Sequence, residues 1–253
     1  MARITSAQRK WLAAQLLRSQ KMGNAYITRI ARKRNKVVQK AISEITAENY
    51  AEVIEDMSES YLKAEIYKLH TAVAYDAGEA QLKQFNSIKS DTYTWKQEIN
   101  KWAKRMGGER IVSMTDALKT EMMLWAKTSL QGASGLGVEK QTKEIRKEVS
   151  KRWSSVKLWQ VRRIVHTESL AAASVGHYQS IKSTGIKTVK TWSTTGNNTR
   201  EQHLQMEGVE VDDDKLFTLP NGDQMLYPRD MEHGASAENI INCACGVIYS
   251  IKK

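Results

Sequence analysis

The only two cysteines of this chain lie one residue apart, in the segment INCACGVIYS at residues 241–250. Three chemistries are open to Cys243 and Cys245: two thiolate ligands for a soft metal ion, a redox pair, or two small apolar side chains of a core. A tetrahedral zinc site would need two more ligands, and His203 and His233 are the nearby histidines. A disulfide between the two cysteines would close a very small, strained ring, so it is not expected.

The segment that carries the cysteines, NIINCACGVIYSIKK, is predicted to be a final β-strand. Side chains alternate along a strand, which would place Cys243 and Cys245 on one face together with Ile241 and Val247. Because those neighbours are apolar, we expect both cysteines to be buried whether or not a metal is bound. We also expect His203 to lie within reach of this strand.

Upstream of these residues the pattern is helical. The two prolines are Pro220 and Pro228, and apolar residues recur at helical spacing from about Ser6 to the middle eighties, with Gly23 and Gly78 as expected breaks. A less regular stretch, NSIKSDTYTW, follows. A further helix is then expected to begin after the pair Gly107-Gly108.

That helix is expected to end in the GASGLG hinge at residues 132–137, and another to run over 138–184 with Gly185 as its C-terminal cap. Beyond Gly185 the pattern becomes β-branched and alternating, with two short strands around the Asn221-Gly222 turn. The sequence therefore predicts an α+β fold, a mostly helical N-terminal body with a small mixed α/β C-terminal domain. The predicted domains are a basic helical region at 1–137 and a second domain at 138–253, whose mixed unit occupies 185–253.

The charge of the chain is unevenly distributed. The net charge is +11, made of +16 in residues 1–190 and −5 in residues 191–253, and residues 1–43 hold eleven Lys and Arg with no acid. We call residues 1–43 the basic segment. Such a segment favours a polyanion partner, nucleic acid first and an acidic protein surface second, over a merely solvated helix face. The candidate nucleic-acid-binding residues are Arg9, Lys10, Arg18, Lys21, Arg29, Arg32, Lys33, Arg34, Lys36 and Lys40.

Targeting signals are not expected. No apolar run approaches the roughly 18 residues of a membrane span, and the start MARITSAQRKW lacks the apolar centre of a secretory signal. We therefore expect no membrane partner and a protein made in a reducing cytoplasm.

An ordered series of residues over 163–245 carries a family resemblance. The series is Thr167-Glu168, Trp192, Thr199-Arg200, His203, Gly208, Phe217, Tyr227-Pro228 and Asn242-Cys243-Ala244-Cys245. It resembles the phage Mu F-like minor head proteins, also called phage head morphogenesis proteins. The chain departs from the common pattern of that family at His166, at Gly196-Asn197-Asn198 and at Ala244.

The resemblance implies a minor capsid protein of a tailed phage, present in few copies inside the capsid near the portal vertex. It implies a role in head assembly and in packaging or ejection of the genome. The expected partners are the portal or major capsid protein and double-stranded DNA bound without sequence specificity. The expected location is the virion, with the host cytoplasm during assembly.

No enzymatic activity, catalytic residue or cofactor is expected from the resemblance. The alternative is a metal-dependent nuclease, or a toxin-like enzyme on the same fold, with His203, Cys243 and Cys245 as metal ligands and zinc as the metal. Its acid would come from Asp212–Asp214 or from Glu168, which are more simply a solvated turn and a helix-surface residue. The other helical histidines, His70, His166 and His177, are expected at a surface or an interface.

Overall fold

A computed structural model describes residues 4–58, 60–85, 92–194 and 199–252. Within these ranges most of the chain is helical, and the strands follow the last long helix. The α-helices are α1 Ser6–Glu44, α2 Tyr50–Glu55, α3 Lys63–Gln84, α4 Thr92–Gly132, α5 Val138–Lys182, α6 Glu201–Leu204 and α7 Ala237–Ile240. The strands are β1 Thr188–Ser193, β2 Glu210–Asp212, β3 Phe217–Thr218, β4 Gln224–Met225 and β5 Gly246–Ile251.

The predicted breaks at Gly23, Gly78 and Gly107-Gly108 are wrong, since α1, α3 and α4 run through them. At Gly23 the absent side chain makes room for a close helix approach, because an added Cβ would lie 1.9 Å from the Oγ of Ser169 in α5. The first break comes instead after α1. There the Oδ1 of Asn49 accepts from the N–H of Thr46, and the Thr46 hydroxyl accepts from the N–H of Asn49, which diverts the backbone from helical bonding.

The ends of the two longest helices agree with the sequence. The GASGLG hinge separates α4 from α5, and α5 ends at Lys182. Gly185 follows with φ of +68°, and its N–H donates to the carbonyl of Lys182. A left-handed residue at this position favours glycine. Of the irregular NSIKSDTYTW stretch, residues 86–91 lie outside the described residues, and α4 begins at Thr92.

A small antiparallel sheet of order β2-β1-β5 follows α5, and β3 and β4 form a separate hairpin around the predicted Asn221-Gly222 turn. In the three-stranded sheet Thr191 of β1 pairs with Ile248 of β5, and Trp192 pairs with Val247. The predicted fold class, a mostly helical body with a small α/β C-terminal region, is confirmed.

The chain divides into two compact units, each built from separate segments. The first unit comprises residues 1–25, 68–103 and 163–253, and the second comprises 26–67 and 104–162. Both units draw on residues before and after position 137. The boundary predicted there coincides with the start of α5 at Val138, and as a domain boundary it stays a prediction.

Each unit has its own buried apolar residues. A cluster in the first unit joins Leu12 and Leu16 of α1 to Leu170 of α5 and Ile248 of β5. A cluster in the second unit surrounds Trp153, which is fully buried. The other fully buried members of that core are Val38, Ile45, Ile54, Met122, Ala126, Ile145 and Val149.

Candidate metal centre

The two cysteines lie in the turn between α7 and β5, so the prediction that they occupy the last strand is wrong. Strand β5 begins only at Gly246, and Asn242 adopts φ of +56°, a left-handed conformation that asparagine tolerates better than most residues. The N–H of Asn242 donates to the hydroxyl of Thr167 at 3.2 Å. Both thiols therefore lie in the irregular segment just before β5 and not in the strand.

His203 lies against both cysteines, as the sequence predicted. Its Nδ1 is 3.5 Å from the Sγ of Cys243 and 3.5 Å from the Sγ of Cys245. The three potential ligand atoms all lie within 4.8 Å of one another. Exposure is only 1% for His203 and 2% for each cysteine, so the predicted burial of the thiols is confirmed.

A chain of hydrogen bonds behind His203 fixes its tautomer. The Nε2 of His203 is 3.2 Å from the Oδ1 of Asn239, whose Nδ2 donates to Oδ2 of Asp223 at 2.8 Å. An ionised carboxylate only accepts, so the amide of Asn239 must turn its NH₂ toward Asp223 and its oxygen toward the imidazole. Nε2 therefore carries the proton, and the lone pair of Nδ1 points at the two sulfurs.

Asp223 is held in its ionised form. Its Oδ2 accepts hydrogen bonds from the hydroxyl and the backbone N–H of Ser236 as well as from Asn239. These bonds, led by that of the Ser236 hydroxyl, lower the pKa of Asp223 well below its usual range. The orientation of Asn239 is thus maintained throughout the neutral pH range.

Arg229, like Asn239 and Asp223, is a residue of this site that sequence reasoning missed. Its guanidinium is buried, and Nη1 donates to the carbonyls of Cys243 at 2.8 Å and Cys245 at 2.6 Å, while Nη2 donates to the hydroxyl of Ser174 at 2.8 Å. Nη1 is also 3.9 Å from the Sγ of Cys243. Burial lowers the pKa of Arg229, yet an arginine remains charged at neutral pH. The two sulfurs therefore lie beside a fixed positive charge.

The two thiols differ in acidity. Hydrogen bonding from Cys245, followed by the charge of Arg229, lowers the pKa of Cys243 well below its usual range. The hydrogen bond between the two thiols, together with burial, raises the pKa of Cys245.

Aromatic rings pack beside the imidazole of His203. Trp192 packs edge-on against His203, with ring centroids 5.5 Å apart, and against Phe217, with ring centroids 5.3 Å apart.

The helical histidines and Glu168 differ from expectation. His70 and His177 are buried, at 0% and 3% exposure, and the Nε2 of His70 is 2.8 Å from the Oε2 of buried Glu168. A surface position, one of the two left open for the histidines, is therefore excluded for His70 and His177. The helix-surface position expected for Glu168 is wrong, because its side chain is buried against His70. His166 is half-buried, with its Nε2 2.8 Å from the Nε2 of Gln20. Gly196-Asn197-Asn198 lie outside the described residues.

The acidic run Asp212–Asp214 is engaged away from the cysteines. Asp212 pairs with Lys252 at 2.6 Å, Asp213 accepts from the hydroxyl of Thr188 at 2.6 Å, and exposed Asp214 lies 3.7 Å from Lys215. The second nearby histidine, His233, pairs through Nδ1 with Asp230 at 2.5 Å. The described acids of the nuclease alternative thus have partners other than His203.

The basic residues of α1 fall into three groups. Arg34 is buried, with its guanidinium over the ring of Trp153, so its assignment as a DNA contact is wrong. Several others form ion pairs: Arg9 with Glu207, Arg18 with Asp76, Arg29 and Lys33 with Glu65, and Lys40 with Glu44. Exposed and without an ion pair to a described residue are Lys10, Lys21, Arg32 and Lys36.

The comparisons with known proteins bring no function to this chain. No family model matches it, and no solved structure matches it. It is similar to the uncharacterized protein YqbB of Bacillus subtilis (strain 168), with 23% identity over 202 residues. The alignment covers 78% of this chain and 60% of YqbB, so the chain spans about 60% of that relative's length.

None of the helices within the described ranges has the length and apolar character that a membrane crossing requires.

Proposed function

We propose that this chain is a minor head protein of a tailed phage, acting near the portal vertex in head assembly and in packaging or ejection of the genome. The observation that carries the proposal is that residues of the resemblance, spread over about 80 positions, contact one another. Thr167 accepts from Asn242, and His203 lies against Cys243. Arg200 donates through Nη2 to the carbonyl of Ile241, the residue just before Asn242. Contacts among residues of the series are expected if the series marks one family domain.

Non-specific DNA contact is the second part of the proposal, and helix α1 supports it. In the second unit, Arg32 and Lys36 are four residues apart, exposed and without an ion pair to a described residue, so both occupy one helix face. Two free cations on one face suit the phosphate backbone of a duplex, whose neutralisation releases counterions without reading sequence.

The head-protein role predicts that the chain is incorporated into particles. Particles purified from the strain that encodes it are expected to contain the chain in few copies, far below the major capsid protein, as measured by quantitative mass spectrometry. Treatment of intact particles with protease should leave the chain uncut, because the proposed location is internal. Absence of the chain from both mature particles and DNA-free heads would contradict the proposal.

The DNA role predicts a salt-dependent affinity with a defined mutational change. The Arg32→Gln, Lys36→Gln variant is expected to make the slope of log K against log salt shallower by about 2, since each phosphate contact contributes about 0.9. Glutamine preserves helix propensity, so the fold should be kept. Fluorescence titration of a labelled duplex at several salt concentrations measures the slope.

The matched control is Lys140→Gln, Lys143→Gln, which removes the same charge from exposed positions of α5. This control is expected to change the slope by less than half as much. Negligible binding of the parent chain at low salt, where non-specific attraction is strongest, would reject the DNA role and leave the basic segment as a contact for an acidic head-protein surface.

The alternative of a metal-dependent nuclease is less well supported. A hydrolytic site needs a base for its water and access for the phosphate, while His203 and the two cysteines are almost fully buried and the described candidate acids have other partners. In the titration above, DNA supplied with Mg²⁺, Mn²⁺ or Zn²⁺ is expected to remain intact. Cleavage that disappears in His203→Ala would favour the enzyme instead.

A further inference from the structure

We propose that His203, Cys243 and Cys245 bind one Zn²⁺ ion through Nδ1 and the two Sγ atoms. The ion would link α6 to the turn before β5, two segments about 40 residues apart in the chain. This inference does not depend on the head-protein role, because it follows from the donor atoms and their surroundings alone.

The spacing of the donor atoms fits a tetrahedral ion. With Zn–S of about 2.3 Å and Zn–N of about 2.0–2.1 Å, tetrahedral geometry separates nitrogen from sulfur by about 3.5 Å. The Nδ1 of His203 is 3.5 Å from Cys243 Sγ and 3.5 Å from Cys245 Sγ. The described residues supply three ligands, and a water molecule or other small ligand takes the fourth position.

The donor types and the second shell fit the same ion. Two thiolates and one imidazole select a soft or borderline metal over Mg²⁺ or Ca²⁺. The hydrogen bonds from Asn239 to Asp223 and from Nε2 of His203 to Asn239 keep the imidazole proton on Nε2 and leave Nδ1 free to ligate. Outer-shell partners of metal-bound histidines have the same effect. Arg229, with Nη1 3.9 Å from Cys243 Sγ, places positive charge beside the thiolates.

The first test is the metal content of the intact chain. Protein purified without chelator is expected to carry about one zinc per chain by elemental analysis. Replacement by Co²⁺ should give thiolate-to-cobalt charge-transfer bands together with intense visible bands of a tetrahedral ion. Zinc well below stoichiometry in protein refilled with zinc and desalted would overturn the proposal.

The second test separates ligation from folding. Asn239→Leu removes the partner of Nε2 and is expected to weaken zinc binding 10–100-fold in competition with a chelator of known affinity. The matched control, Asn100→Leu, makes the same substitution at a half-buried position of α4, where Asn100 accepts a hydrogen bond from the hydroxyl of Tyr75 at 2.8 Å, and its zinc affinity should be unchanged. Circular dichroism checks that both variants are folded.

The third test identifies the ligands. Cys245→Ser and His203→Asn are expected to lose the zinc, whereas His233→Asn, which changes the other nearby histidine, should retain it. Stoichiometric zinc that survives in folded Cys245→Ser and His203→Asn proteins, or that disappears in His233→Asn, would place the ion elsewhere and overturn the proposal.

Discussion

Replacing Gly176 by alanine is expected to destabilise the first unit by about 3 kcal/mol, at the upper end of what overpacking costs. Gly176 lies in α5, and a Cβ added there would be 2.1 Å from the carbonyl oxygen of Ala74 in α3 and 2.9 Å from its Cα. Backbone atoms cannot turn aside as a side-chain tip can, so the two helices would have to separate. Urea denaturation followed by circular dichroism measures the loss.

Gly107→Ala is the matched control, because it makes the same substitution inside another long helix. There the nearest atom to the new Cβ is 3.7 Å away, an ordinary contact with Ile66. Alanine is the better helix former, so this variant should be stabilised by up to about 1 kcal/mol. The two substitutions are therefore expected to have opposite signs. Equal effects, or a neutral Gly176→Ala, would show that α3 and α5 do not cross this closely.

The second large effect concerns pH, through the buried imidazole of His177. Burial, followed by the charge of Arg229, lowers the pKa of His177 from 6.5 to about 4. Its Nε2 has no hydrogen-bond partner within the described ranges, and its ring lies 5.6 Å from that of Trp11. Between pH 4 and 6.5 the unfolded chain binds a proton at this position that the folded chain excludes, so stability rises with pH across that window.

The stability contributed in this way is complete above pH 6.5 and is lost as the pH falls to about 4. The loss amounts to about 3 kcal/mol by linkage. His177→Phe keeps a ring against Trp11 but cannot titrate. The difference in unfolding free energy between parent and variant, measured at several pH values, should change by this amount across the window. Other titrating groups cancel in the difference, and parallel pH profiles would contradict the prediction.

The sequence alone determined the features that depend on neighbouring residues. The long helices follow from apolar periodicity in a proline-free region, and the end of α5 follows from Gly185. The hairpin follows from Asn221-Gly222, where Gly222 adopts φ of +89°. The burial of Cys243 and Cys245 could also be predicted, because their neighbours along the chain are apolar. In each case the information lies within a few residues, where backbone sterics and side-chain spacing act directly.

Only the tertiary structure decided the roles that depend on residues far apart in the chain. Gly23 and Gly78 were predicted to interrupt helices. An isolated glycine in the sequence does not show whether it ends a helix or makes room for a second helix to pack closely. Arg34 was predicted as a DNA contact and Arg229 was not singled out, yet packing buries both guanidiniums. A residue type fixes which hydrogen bonds and charges a side chain can offer. The packing of helices and turns determines which partners that side chain contacts. A pattern along the sequence does not contain that information.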